Sequence, residues 1–221
     1  MLPTLQTSFE VTASQSMMLA TIYLTMIASL QLLFGRSADI FDASKVFLSG
    51  IVLFLAGSVG CALSHAFAHI LLGRFVQGIG GAMLAASFGA MILTSVPREK
   101  IGSTIGLIFM VGSCGTIIGP PLGGYLAEAW SWHWAFIVNV PLCLIVIAVL
   151  SIHIKRIPAK TQENFREKLR QLDLKGGCLS ILMFSSLPLA LSAIADAGWR
   201  SSKVGGAFCR ILFLADALPN S

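Results

Sequence analysis

The sequence predicts an all-α membrane protein, a bundle of about six complete transmembrane helices with partial ones at both ends. Three observations carry this. Hydrophobic residues make up 56% of the 221 positions and charged residues only 11%, with mean hydropathy +0.83, far from a soluble domain. Apolar stretches recur near 17–34, 46–64, 70–96, 101–127, 133–154 and 176–195, each close to the roughly 20 residues that cross a bilayer. Basic residues cluster in alternate connections: Arg36 and Lys45, then Arg98 and Lys100, then Lys155, Arg156, Lys160, Arg166, Lys168, Arg170 and Lys175. Segments 7–16, 64–69 and 127–132 hold no Lys or Arg, so the positive-inside rule puts the basic connections in the cytoplasm. The excess of +5 is topology, and no nucleic-acid partner is expected.

This topology makes the first stretch, 17–34, run inward from an external N-terminal segment. A short polar segment without a signal peptide is not exported by itself, so an upstream helix is expected to be missing. At the other end an apolar run over 204–214 is interrupted by Arg210 and followed by Asp216. The expected organisation is a bundle over 1–154, a cytoplasmic linker over 155–175, and a further span with the start of another over 176–221. Within the linker, 161–172 alternates charges around Phe165, Leu169 and Leu172, which fits either an amphipathic surface helix or a solvated connection.

The third stretch is the most informative. Arg74 is the one charged residue between Ile70 and Pro97, and a guanidinium in hydrocarbon costs about 2.5–3.5 kcal/mol on insertion scales. A spanning helix keeps such a residue where it faces a partner or a water-filled cavity. Gln77 and Gly78 follow at three and four residues, on the same helical face. A charged, polar and small stripe of this kind reads as the lining of a pathway, which points to transport.

In the fourth stretch Gly115, Gly119 and Gly123 recur every four residues, and Gly102 and Gly106 share that spacing. Such a stripe lets a second helix approach backbone to backbone. Pro120 and Pro121 remove two amide donors and are expected to bend or loosen the outer half of the helix. The stripe and the proline pair together predict a tight, bent interface. The fifth stretch opens with Trp132 and Trp134, placed like an aromatic anchor at headgroup level.

Cys61, Cys114, Cys143, Cys178 and Cys209 are scattered without a CxxC or Cys/His cluster, so small apolar packing is expected rather than zinc or disulfides. His65, His69, His133 and His153 fall at helix ends, where an interface suits imidazole. No P-loop is present, and Gly78-Ile79-Gly80-Gly81 lies inside an apolar helix rather than after a strand. No cofactor, metal or enzymatic activity is expected.

At this point the residues resemble a family. Gly73-Arg74-Phe75-Val76-Gln77-Gly78 resembles the RxxQG motif in the fourth helix of major facilitator superfamily transporters. The segment from Gly115 through Gly119-Pro120-Pro121 to Gly123-Gly124 resembles the GxxxGPxxGG antiporter motif of the fifth helix. Trp132-His133-Trp134-Ala135-Phe136-Ile137-Val138-Asn139-Val140-Pro141 is similar to the WRWxFxINxP signature opening the sixth helix of 14-helix drug:proton antiporters. The resemblance covers nearly the whole chain. It implies a major facilitator-type bundle containing helices 2 to 6, with helix 1 mostly missing, then the seventh helix.

The resemblance also implies roles. Arg74, with Gln77 and Gly78, would couple proton binding to the conformational switch or orient the cavity. Gly115, Gly119, Pro120, Pro121, Gly123 and Gly124 would form a hinge and seal between the halves. Trp132, Trp134, Asn139 and Pro141 carry the sixth-helix signature, with Asn139 facing inward. Gly35, Asp39 and Lys45 retain part of the family's cytoplasmic latch, GxLADxxGRK, in the loop between helices 2 and 3. That motif is altered, since Ser37 replaces Leu and Asp42-Ala43-Ser44 stands where the pattern has Gly-Arg-Lys. A weakened latch is expected.

The implied function is proton-coupled export of drugs or other small amphipathic compounds across the cell membrane. The implied partners are the lipid bilayer, the small-molecule substrate and protons, with a second half-transporter or a homodimer as a further partner. Two alternatives stand beside it: a truncated, non-transporting fragment or structural half-bundle, and a facilitator-type carrier for a siderophore or organic acid.

Overall fold

The computed structural model describes residues 8–9 and 11–154, with positions 13, 14, 39, 95, 153 and 154 described by backbone alone. The linker expected over 155–175, the span over 176–195 and the run over 204–214 lie outside the described residues, as do Cys178 and Cys209.

Every regular element among the described residues is helical: α1 (Ala13–Phe41), α2 (Ala43–Ala62), α3 (Phe67–Ser95), a 3₁₀ turn (Arg98–Lys100), α4 (Ile101–Ala129), a short α5 (Trp134–Ile137) and α6 (Asn139–Ile154). Among the described residues five segments are long and apolar enough to cross a membrane: Gln15–Ala38, Ala43–Ala62, Phe67–Thr94, Arg98–Ala129 and Trp134–Ile152. They coincide with the first five apolar stretches to within a few residues at each end.

Local chemistry sets several boundaries. Thr12 caps α1 through a reciprocal pair: its hydroxyl accepts from the Gln15 N–H, and the Gln15 side chain accepts from the Thr12 N–H at 2.9 Å. Pro141 falls in the first turn of α6, where a missing N–H leaves no ladder bond unmade. Pro120 and Pro121 lie inside α4, which stays α-helical from Ile101 to Ala129.

One expectation is corrected at the junction of α1 and α2. The segment read as a loop from Gly35 is helical through Phe41, and the connection is the single residue Asp42. Its backbone adopts φ 88° and ψ 114°, a conformation natural to glycine and rare for residues with a Cβ. The Asp42 carboxylate offsets part of the strain by accepting from the Ser44 N–H at 3.0 Å, capping α2.

Packing shows alternating helix direction. At one end, Leu19, Cys61, Ile70, Ala127, Trp132 and Phe136 form a buried cluster with Phe9, Ala62, Phe67 and Leu71 against it. This gathers the start of α1, the α2–α3 connection and the α4–α5 connection, all free of Lys and Arg. At the other end, Ala38, Ala43 and Val46 pack with Phe41, Met83, Ala90 and Met91, joining the α1–α2 junction to the far half of α3. Arg36, Lys45, Arg98 and Lys100 are exposed there or beyond it. The end-to-end segregation fits the basic end being cytoplasmic.

Helix α3 is the centre of the bundle, packing chiefly on α2 and α1. Glycines on two of its faces explain why. A Cβ at Gly80 would come within 2.6 Å of the Gly50 carbonyl and the Phe54 nitrogen on α2. At Gly78 it would meet Met26 of α1 at 2.5 Å. Helix α4, by contrast, buries only Ala127 among the described residues. The many exposed apolar side chains, such as Leu32, Leu72, Phe109 and Ile145, form a surface suited to lipid.

Candidate functional site

Arg74 enters α3 seven residues after its start, about 10 Å along the helix from the end free of Lys and Arg. Its guanidinium sits where α1, α2, α3 and α5 meet. The guanidinium carbon lies 4.7 Å from the Phe136 ring centroid on α5 and 5.5 Å from the Tyr23 ring centroid on α1. Two aromatic faces thus replace part of the lost hydration, and a desolvated contact of this kind is worth about 2 kcal/mol.

The polar side of the guanidinium meets a hydrogen-bond chain. Arg74 Nη1 donates to Gln77 Oε1 at 3.2 Å, and Gln77 Nε2 donates to Ser58 Oγ of α2 at 2.6 Å. Ser58 Oγ in turn donates to the Phe54 carbonyl at 2.9 Å. Gln77 and Ser58 are fully buried. Among the described residues the buried Arg74 Nε has no hydrogen-bond partner. The ionisable side chains facing it there are Tyr23 and Cys61, neither of them anionic at neutral pH.

Glycines make this chain possible. A Cβ on Gly57 would come within 2.7 Å of the Gln77 backbone nitrogen and 2.8 Å of the Gly73 carbonyl. One on Gly73 would collide with Cys61. Helices α2 and α3 therefore touch backbone to backbone beside Arg74, which brings the Ser58 hydroxyl to Gln77. Cys61 contributes a weak bond from its thiol to the Ile70 carbonyl at 3.6 Å.

Arg74, Gln77 and Gly78, read from the sequence as the lining of a pathway, differ in their surroundings. The three do share a neighbourhood, but Gln77 is sealed between α3 and α2, and Gly78 is pressed against α1. Gln77 and Gly78 are buried, while Arg74 is half-buried.

A sequence model of the Major Facilitator Superfamily matches residues 1–215. The chain belongs to that superfamily. It is similar to the protein named "Putative multidrug resistance protein MdtD" in Serratia proteamaculans (strain 568), at 34% identity over 173 residues, covering 78% of this chain and 34% of that protein. The protein of the same name in Escherichia coli O1:K1 / APEC is also 34% identical, over 78% of this chain and 35% of its own length. The chain thus spans about a third of the length of the curated relatives it matches. As a superfamily member with five membrane-length helices, it is a multi-pass integral protein of the cell membrane.

The other motif residues fall in three places. Trp132 is not a headgroup anchor: it is only 5% exposed, stacked on His133 and tilted against Phe9, because the α4–α5 connection folds back over the helix ends. Trp134 is exposed and pairs edge-on with the exposed Trp130. Asn139 and Pro141 open α6. Gly115, Gly119, Gly123 and Gly124, with Pro120 and Pro121, lie on the exposed helix α4, and a Cβ at any of these glycines meets nothing within 4 Å among the described residues. Gly35 likewise has open space, Lys45 is exposed, and the Asp39 side chain lies outside the described residues.

Sequence reasoning missed Ser58, Tyr23 and Phe136. Part of the signal was available: Gly50 and Gly57 on α2, and Gly73 and Gly80 on α3, each repeat at seven residues, two turns of one helical face.

Proposed function

We propose that the protein works in proton-coupled secondary export of small amphipathic or cationic compounds, by alternating access of helix bundles. The observation that carries this reading is the half-buried Arg74 side chain at the four-helix junction, its buried Nε left unpartnered among the described residues. An apolar side chain would fill that space without the insertion penalty, so a purely structural role leaves the charge unexplained. Superfamily membership and the multidrug resistance names of the relatives support an exporter. Arg74 cannot give up its proton at physiological pH, so it acts by stabilising or releasing an anionic group during the transport cycle. In this reading Gln77 and Gly78 hold Arg74 in place, and the α4 glycines and prolines form the moving seam. Gly35, Asp39 and Lys45 contribute to the cytoplasmic latch, while residues 1–154, 155–175 and 176–221 act as bundle, linker and start of the next helices.

The test is drug-dependent proton flux in proteoliposomes, comparing the wild-type protein with Arg74→Ala and Arg74→Lys. The expected result is flux that collapses in Arg74→Ala and is only partly kept by Arg74→Lys, whose ammonium lacks the planar face that stacks on Phe136. Unchanged flux in both variants would overturn the role of Arg74. No flux from the wild type would overturn transport by this chain alone.

A second reading, a half-bundle that functions against another half or a second copy, is favoured by the glycine face of α4 that is uncovered among the described residues. Crosslinking through Cys114 on that helix, or its absence, discriminates the two.

A further inference from the structure

We propose that Ser58 is the positioning residue that fixes the direction of the Arg74 side chain, acting through Gln77. The argument rests on donor and acceptor capacity. Arg is a donor only, so the group of Gln77 that faces it must be the carbonyl Oε1. The amide Nε2 is thereby forced toward Ser58, at 2.6 Å. Ser58 accepts there because its own proton is committed to the Phe54 carbonyl at 2.9 Å. Each group has one role consistent with its neighbours, and the chain Arg74, Gln77, Ser58, Phe54 runs in a single direction from the charge to the backbone of α2.

Burial makes that direction binding. Gln77 and Ser58 are fully buried, so water cannot replace a lost partner. Without the Ser58 hydroxyl, Nε2 has no acceptor and the amide is free to turn, taking from Arg74 its hydrogen-bond partner on this side. The close contact of Gly57 with Gln77 and Gly73 holds Ser58 at the required height on α2. A relative displacement of α2 along α3 would therefore be felt at Arg74 through Ser58.

The consequence for transport rests on the coupling role proposed above for Arg74; the positioning itself does not, and the experiment separates them. The first measurement is the rate at which phenylglyoxal modifies Arg74 in native membranes, read by peptide mass spectrometry, for wild type, Ser58→Ala, Ser58→Thr, Gln77→Leu and the Ser58→Ala/Gln77→Leu pair. Ser58→Ala is expected to speed modification about fivefold, the scale of one lost hydrogen bond. Ser58→Thr, which keeps the hydroxyl, is expected to stay near wild type. The double variant is expected to match Gln77→Leu alone, because Ser58 acts through Gln77. An unchanged rate in Ser58→Ala, failed rescue by Ser58→Thr in a folded protein, or additive effects in the pair would each overturn the proposal. The second measurement is the pH profile of proton flux, where Ser58→Ala and Gln77→Leu are expected to shift the midpoint in the same direction. A changed modification rate with no wild-type flux would leave the positioning intact and defeat the transport reading alone.

Discussion

The Arg74 guanidinium carbon lies 4.7 Å from the centre of the Phe136 ring, so the one charge inside α3 is covered by an aromatic from the α5 segment 62 residues further along the chain. This contact joins the RxxQG segment to the sixth-helix signature. Phe136 is 1% exposed and also meets Trp132 edge-on. Replacing it removes both core volume and the π-face over the charge. Phe136→Ala is expected to lower stability by about 3 kcal/mol and Phe136→Leu by about 1 kcal/mol. Unfolding in mixed micelles by an SDS titration measures both, and no loss in Phe136→Leu would contradict a specific role for the ring.

Asp42 gives a prediction of opposite sign for two small substitutions. A non-glycine residue at φ 88° stores strain of about 1–3 kcal/mol. Asp42→Gly relieves it, and replacing an N-cap by Gly loses only a few tenths of a kcal/mol in return. Asp42→Gly is therefore expected to stabilise the protein by about 1 kcal/mol. Asp42→Ala keeps the strain and loses the cap on Ser44, so it is expected to destabilise by about 1 kcal/mol. Thermal melting in detergent decides the matter, and a drop for both variants would show that the cap outweighs the backbone.

Two glycine-to-alanine changes separate the two glycine stripes. Gly57→Ala drives a methyl into the backbone of α3 and is expected to cost about 2–3 kcal/mol. Gly115→Ala meets nothing within 4 Å among the described residues and gains helix propensity, so stability is expected to hold or rise by up to about 1 kcal/mol. If the α4 stripe is a moving seam, Gly115→Ala lowers transport while leaving stability intact. Parallel flux and melting measurements check this.

The connection at the end free of Lys and Arg titrates. Burial, then the neighbouring His65, hold His133 below the ordinary imidazole range, against a smaller upward pull from its hydrogen bond to the Ser64 backbone. Folding thus favours the neutral ring. Above about pH 6.5 both folded and unfolded states keep it neutral and the stability is fully present. As pH falls below that value the unfolded state takes up the proton first, so stability declines until the folded ring also protonates. His65→Gln removes the repulsion and is expected to make this loss shallower. Melting temperatures at pH 7.5 and 5.5 in wild type and His65→Gln test it, and identical slopes would remove His65 as a cause.

Much of the fold was legible because membrane insertion is decided by local properties. Length and apolarity alone placed the first five spans, and the basic residues fall at alternate ends of them. Arg74 announced itself for the same reason: a charge among apolar residues is costly wherever it lands in the hydrocarbon. The helical continuation through Gly35 to Phe41 was not legible, since a family pattern read as a loop can be completed by helix when one residue absorbs the turn.

The sequence by itself determined that this chain is helical, crosses the membrane, and carries a charge and two glycine-rich helices that require partners. Tertiary structure decided what those partners are. It buried Trp132 rather than floating it at the interface, and left the glycine face of α4 open among the described residues while closing that of α2 on α3. It also brought Tyr23 and Phe136 to one guanidinium, and Ser58 to the Gln77 amide that the guanidinium bonds. Spacing along a helix gives the face a residue occupies, but which helix meets that face depends on close packing between segments distant in the chain.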